Sequence, residues 1–301
     1  MTTTTHRRTD LYPTRTVSEP RPQSRQDPTV WSTATGPLDR GRLAQYDSEG
    51  YLVLENLLSP QEVEHYLAEL RRLNEDETLR GTERVVREPD SDEIRSIFEA
   101  QKISAVFAEL IHSPRLTDIA RQVLGSDVYV HQSRVNYKPA FGGAEFDWHS
   151  DFETWHSEDG MPRPRAFSIS IGLTDNHPFN GPLMVMPGSH KTFIPSVGET
   201  PADYHKESLR VHRLTVGSVD HDSLTRMADQ HGIQQVTGPA GSAVMFDCNI
   251  LHGSNGNITP YPRSNIFIVY NSTENALEEP FAAPRPRPQY LGNRDFTPAP
   301  R

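Results

Sequence analysis

The run Ala166-Phe167-Ser168-Ile169-Ser170-Ile171-Gly172-Leu173 alternates strictly between large apolar and small or polar side chains. A period of two is that of a β-strand, so Ser168 and Ser170 point one way and Phe167, Ile169 and Ile171 the other. Further short strands are predicted at residues 128–137, 183–186, 209–216, 242–246 and 266–270, interrupted by a short helix over 224–231. Many short strands behind an N-terminal helical portion give a fold class that is mainly β with flanking helices. The expected core is a double-stranded β-helix, the jelly-roll or cupin-like arrangement.

The N-terminal portion is well punctuated. Residues 50–54 read as a first strand. Ser59-Pro60-Gln61-Glu62 is a capping box with proline at the first helical position. Behind it Val63, Tyr66, Leu67 and Leu70 recur at i, i+3, i+4 and i+7, one buried face. Residues 78–92 are charged and lack a core pattern, as a loop does. Two more helices are predicted at 103–111 and 114–124, the second opened by Ser113-Pro114 and closed by Gly125. Residues 1–40 mix Thr, Pro, Arg and Ser without apolar periodicity and read as a flexible segment, with a single domain over 41–301. Arg7, Arg8, Arg15, Arg21 and Arg25 are spread along that segment, which suits a solvated tail better than a nucleic-acid arm. From about residue 280 the chain is proline-rich and cannot be a core strand. It reads as a loose tail, with a lid that contributes Arg287 as the alternative.

The chemistry centres on His149-Ser150-Asp151. If this tripeptide is extended, imidazole and carboxylate lie on the same face and can converge on one point. They would be two parts of a 2-His-1-carboxylate triad, which holds Fe(II) and leaves open positions for substrate and O2. With 13 histidines in the chain, roughly one His-x-Asp arises by chance, so the tripeptide needs company. His252 follows 101 residues after Asp151, behind the apolar run Ala243-Val244-Met245-Phe246, and Arg263 a further 11 residues on, ahead of a strand-like segment. A buried arginine there could grip a carboxylate in fork geometry.

This His-x-Asp…His…Arg order resembles the Fe(II)/2-oxoglutarate-dependent dioxygenases of the phytanoyl-CoA hydroxylase type. The longer wording resembles the ectoine hydroxylases among them: QSRVNYKP from Gln132 to Pro139, WHSDFETWHSEDGMP from Trp148 to Pro162, and GPLMVMPGSH from Gly181 to His190. The resemblance covers roughly residues 45 to 295. It implies His149, Asp151 and His252 as catalytic iron ligands, with 2-oxoglutarate as cosubstrate and O2 as oxidant. It implies Arg263 and Lys138, with Asn136 and Ser254 as neighbours, around the 2-oxoglutarate. Read alone, Lys138 would be a solvated lysine beside a turn proline. Gln132, Trp155, Ser168, Phe246, Phe267 and Arg287 are the implied contacts of the substrate, ectoine, a cyclic amidinium bearing a carboxylate; aromatic walls suit such a cation. Taken alone, Trp155, Phe246 and Phe267 would be core residues. The implied reaction is hydroxylation to 5-hydroxyectoine with release of succinate and CO2. Asp147 departs from the resemblance, standing where an aromatic is expected. A dioxygenase for another small amino acid and a non-catalytic jelly-roll binding module stay open as alternatives.

Composition bounds the partners. A net charge of −10 argues against nucleic acid or an anionic membrane, and no run approaches the ~18 apolar residues of a membrane span. The N-terminus has no apolar signal region. Cys248 is the single cysteine, which fits a reducing cytoplasm and a buried hydrophobe better than a ligand. Oligomeric state stays open, with a homodimer as one expectation.

Overall fold

The computed structural model describes residues 9–210 and 214–301. Its larger sheet has seven antiparallel strands in the order Tyr51–Leu54 (β2), Ala243–Asp247 (β11), Ala166–Gly172 (β7), Arg263–Ser272 (β13), Val128–Lys138 (β5), Ile94–Phe98 (β4) and Val85–Arg87 (β3). The smaller sheet has four antiparallel strands in the order Gln234–Val236 (β10), Leu183–Val185 (β8), His252–Ser254 (β12) and Phe146–His149 (β6). The two-residue strands Gln23–Ser24 (β1) and Thr192–Phe193 (β9) pair separately. The two main sheets form the expected jelly-roll core.

The alternation of β7 divides the larger sheet into two chemically different faces. Phe167, Ile169 and Ile171 join Val135, Met245, Ile266 and Ile268 in the main core. There they pack with buried residues of the helices Arg40–Glu49, Pro60–Glu75, Ala105–Ile111 and Pro114–Leu124. Each such side chain, fully buried, contributes about 1.5–3 kcal/mol. The opposite face is polar, and strand register lines it up in rows. Lys138 lies opposite Arg263, Asn136 opposite Asn265, and Arg134 opposite Phe267 followed by Ser170 and Val244. Gln132 lies opposite Val269, followed by Ser168 and Phe246. Val185 of the smaller sheet packs in one cluster with Val244, Phe246, Phe267 and Val269, closing the sandwich over this face.

Local signals are reproduced where they are strong. The Ser59–Glu62 capping box is formed on both sides, with Pro60 opening the helix. The helix Arg40–Glu49 was not predicted, because its apolar content is low; Asp39 caps it and Gly50, at φ 77°, ends it. Residues 78–92 are not simply a loop, since they contain most of a short helix, Glu77–Arg80, and β3, which pairs with β4. The strand predicted at 209–216 falls partly on residues 211–213, outside the described residues. Its flanks form no strand.

Both terminal expectations are corrected. From residue 9 onward the N-terminal segment lies against the core: Tyr12 is fully buried, edge-on to Phe152 and Phe193. Arg15 pairs with Glu153 at 2.9 Å and Glu158 at 2.7 Å, and Arg25 with Asp247 at 2.7 Å. Arg21 is exposed as expected; Arg7 and Arg8 lie outside the described residues. The proline-rich end is not loose either. Leu291 is fully buried, Ala299 N–H donates to Val128 O at 2.7 Å, and Arg121 holds the carbonyls of Ala299 and Pro300. Prolines keep this segment out of the sheets, but its carbonyls and remaining N–H groups still find partners.

Candidate active site

His149 and His252 face each other on the antiparallel pair β6 and β12, with ring centroids 4.2 Å apart. Asp151 reaches them by a route that strand periodicity did not foresee. β6 ends at His149, Ser150 accepts a hydrogen bond from Glu153 N–H, and Asp151 opens a short helix, Asp151–Thr154. The chain turn, not strand alternation, brings the carboxylate round.

His149 Nε2 lies 3.6 Å from Asp151 Oδ1, and His252 Nε2 lies 3.9 Å from Asp151 Oδ2. One ligand atom of each of the three residues falls within 4.8 Å of the others. On the far side of each ring, Nδ1 faces a carbonyl: Asp147 O at 2.7 Å and Ile250 O at 3.1 Å. A carbonyl can only accept, so Nδ1 carries the proton and Nε2 presents its lone pair inward, as a metal ligand must. Burial, reinforced by His149, pushes His252 down to about 4, which keeps it neutral. Burial would raise the Asp151 carboxyl, but the charged Arg134 guanidinium nearby opposes this, and the carboxyl lies below the usual carboxylate range. Ser168 Oγ donates to Asp151 Oδ2 at 3.3 Å. Two neutral imidazoles and one carboxylate, close together and not otherwise coordinated, fit Fe(II).

A cavity of about 970 Å³, its open mouth included, extends from the two histidines between the sheets. One part of its wall is cationic. Lys138 Nζ donates to Ser254 Oγ at 3.0 Å and to Asn255 O at 2.6 Å. Burial, then the neighbouring Arg263 and Arg95, push its ammonium down to about 6. Arg263 has its Nε buried without a hydrogen-bond partner, and burial pushes it down to about 10. No ion pair of Arg263 with a carboxylate occurs among the described residues. A buried guanidinium with no salt bridge, beside a lysine that burial drives toward its neutral form, costs several kcal/mol to hold. That cost is offset by an anion, and a carboxylate matches the guanidinium fork. This wall fits the distal end of 2-oxoglutarate.

The structure brings together His149, Asp151, His252, Lys138, Arg263, Asn136, Ser254, Phe246 and Phe267, with Asp151 reaching the cavity through its ligand partners. Gln132, Trp155, Ser168 and Arg287 are not on the cavity wall. Gln132 donates to Leu291 O at 2.7 Å and accepts from Arg134, and Ser168 touches Asp151. Trp155 is buried in the same apolar cluster as Phe246 and Phe267, its ring 5.0 Å from that of His131. Arg287 is held away from the cavity by Asp159, with two hydrogen bonds at 2.8 and 2.6 Å. Burial makes that carboxylate the strongest available partner for the guanidinium. Sequence reasoning passed over Arg134, Arg95 and Phe98, which line the cavity. Arg134 was within reach of it, because it falls on the alternation Gln132, Arg134, Asn136, Lys138. Asp147 accepts the backbone N–H of Leu214 at 2.9 Å and so ties the 214–219 segment to the strand carrying His149.

A family described as phytanoyl-CoA dioxygenase (PhyH) matches residues 46–265. An ectoine dioxygenase of Nocardia farcinica is 58% identical over 292 residues, spanning 97% of this chain and 96% of that protein. Another, from Streptomyces coelicolor, is 55% identical over 300 residues and spans 99% of both. A crystal structure of EctD from S. alaskensis with 2-oxoglutarate and 5-hydroxyectoine superposes with a TM-score of 0.86 at 46% identity, covering 97% of this chain and 96% of that one. A further crystal structure of that protein contains Fe.

Proposed function

The chain belongs to the phytanoyl-CoA dioxygenase family, with the ectoine dioxygenases as its relatives, and we infer from this that it hydroxylates L-ectoine to 5-hydroxyectoine. It is an Fe(II)- and 2-oxoglutarate-dependent dioxygenase, and succinate and CO2 are the coproducts. The observation that carries the reading is the pairing, in one cavity, of the His149–Asp151–His252 cluster with Lys138 and the buried Arg263, whose Nε has no hydrogen-bond partner. A binding module without metal would have no reason to bury a guanidinium that lacks a salt bridge beside two inward-facing imidazoles and a carboxylate.

In this reading His149, Asp151 and His252 hold iron, and Arg263 and Lys138 bind the distal carboxylate of 2-oxoglutarate, with Asn136 and Ser254 beside them. Iron with 2-oxoglutarate and O2 supplies the oxidising chemistry. The protein orients and shields. Backbone carbonyls of Asp147 and Ile250 fix the two imidazoles in the ligating tautomer, and Ser168 orients the carboxylate. Phe246 and Phe267 give the delocalised ring cation an aromatic wall, with roughly 0.5–2 kcal/mol available per face. Trp155 supports that wall from the same cluster. Gln132 and Arg287 complete the proposed substrate contacts, Arg287 only if its bond to Asp159 is exchanged. A homodimer in the cytoplasm, acting on a solute accumulated there, completes the proposal.

The test is anaerobic purification and loading with Fe(II), followed by a panel of small amino acids with 2-oxoglutarate and O2. Succinate release and mass spectrometry report turnover. Hydroxyectoine formed with succinate in equal amounts is the expected result. Turnover of another amino acid with none on ectoine would overturn the substrate, and iron-free protein inert throughout would overturn the class.

A further inference from the structure

We propose that Arg15, in the N-terminal arm, is a positioning residue for the reaction: its guanidinium holds residues 151–159 in the turn geometry that places Trp155 relative to the iron ligand Asp151. The proposal rests on the ectoine reading and adds to it a residue that touches neither iron nor substrate. The segment changes pitch after Thr154. Asp151–Thr154 is a turn of α-helix, and Trp155–Asp159 is a turn of π-helix, in which Gly160 N–H donates to Trp155 O. Such wide turns are rare and are frequent at functional sites. Something must favour this one over a continued α-helix.

Arg15 supplies that preference. Its Nε and Nη2 donate to the two oxygens of Glu153 at 3.0 and 2.9 Å, and its Nη1 donates to Glu158 Oε1 at 2.7 Å. These carboxylates are five positions apart. On an α-helix, at about 100° per residue, positions i and i+5 point about 140° away from each other. A turn bonded from i to i+5 brings them to one side. A single fork that grips both carboxylates therefore favours the wider turn. Trp155 lies between the two gripped residues, and Asp151 stands two positions before the first. All three partners are buried, so loss of the cation leaves two carboxylates repelling each other on either side of Trp155. Arg15 itself has φ 59°, a left-handed conformation that a residue other than glycine keeps only where its surroundings impose it. They do: Arg15 N–H donates to Ser196 O at 2.7 Å, and Thr14 Oγ donates to Glu153 Oε1 at 2.7 Å. The competing role is a purely structural one, pinning the N-terminal arm to the core.

The experiment compares wild type with Arg15→Lys, which keeps the charge without the fork, and Glu158→Gln, which releases one arm of the grip and keeps the Arg15–Glu153 pair. Urea unfolding first fixes a temperature at which every variant is folded. Hydroxyectoine formed per succinate, iron content, and KM for ectoine and for 2-oxoglutarate are then measured on the Fe(II) enzyme. Hydrogen exchange of residues 151–161 is measured on the metal-free protein. A smaller folded fraction does not change the product ratio or either KM, so these separate positioning from stability. Both variants are expected to exchange this segment roughly tenfold faster than wild type, while the core strands keep their protection. Each is expected to raise the ectoine KM and the share of succinate without product by roughly 3- to 10-fold, with iron content and the 2-oxoglutarate KM within about twofold of wild type. Glu158→Gln carries the comparison if Arg15→Lys does not fold. Wild-type coupling, KM and exchange with only a lower urea midpoint overturn the proposal and leave Arg15 a structural tie. So does a loss that falls on iron or 2-oxoglutarate as much as on ectoine. Wild-type enzyme inert toward ectoine is the different outcome that removes the substrate reading, and the exchange comparison then still decides whether Arg15 holds the turn.

Discussion

The charge state of Lys138 gives the cosubstrate site a measurable pH signature. With its ammonium pushed down to about 6 by burial and by Arg263 and Arg95, only about 1% of Lys138 is charged at pH 8, two units higher. A carboxylate bound at this wall favours the charged form, so binding at pH 8 takes up close to one proton. The sign follows directly. Below pH 6 the lysine is already charged and affinity is independent of pH. Above it, each unit costs about 1.4 kcal/mol, or tenfold in Kd, until the raised pKa of the complex is passed. The apparent Kd for 2-oxoglutarate at pH 8 is thus expected to be about 100-fold weaker than that of the fully charged site, a cost of about 2.7 kcal/mol. Without an anion the same shift acts on stability in the opposite sense. The unfolded lysine titrates near 10.5, so the native state gains stability as pH rises from about 6 toward that value. The assay is calorimetric titration of 2-oxoglutarate into anaerobic Fe(II) enzyme at pH 8, in two buffers of different ionisation heat. The slope gives the protons taken up, and Lys138→Met should bring it to zero while weakening binding. A wild-type enzyme with no buffer dependence and a flat Kd between pH 6.5 and 8.5 refutes the reasoning, because Lys138 would then be charged throughout.

Three other expectations concern iron, folding and the aromatic cluster. His252→Ala and Asp151→Glu are each expected to lose iron and turnover while keeping the native far-ultraviolet dichroism, since a ligand displaced beyond roughly 0.5 Å leaves a preorganised site; full iron stoichiometry in His252→Ala would contradict the ligand assignment. Arg15→Met strands Glu153 and Glu158 as buried charges and is expected to cost about 3–5 kcal/mol in urea unfolding, whereas a loss under 1 kcal/mol would show that water reaches the pair. Trp155→Ala is expected to raise the share of succinate formed without hydroxyectoine, with Trp155→Phe intermediate; unchanged coupling in Trp155→Ala would confine Trp155 to a packing role.

The sequence by itself determined what depends on one residue and its near neighbours. The alternation of β7 settled which side chains face the core, the Ser59–Glu62 box settled where a helix starts, and His149, Asp151, His252 and Arg263 stood at spacings that named the chemistry. Burial of a periodic face is a property of one segment, so periodicity alone carries it. Tertiary structure decided whatever depends on two distant segments meeting. Arg15 finds Glu153 across 138 positions, Arg25 finds Asp247 across 222, and Arg287 finds Asp159 across 128. Each of these arginines sits in a proline-rich stretch that reads locally as loose chain. The same holds within the site, where a helix start places Asp151 and the row opposite β13 turns Arg134 into the cavity. A buried charge is stable only beside its partner, and which partner that is depends on how the chain closes on itself.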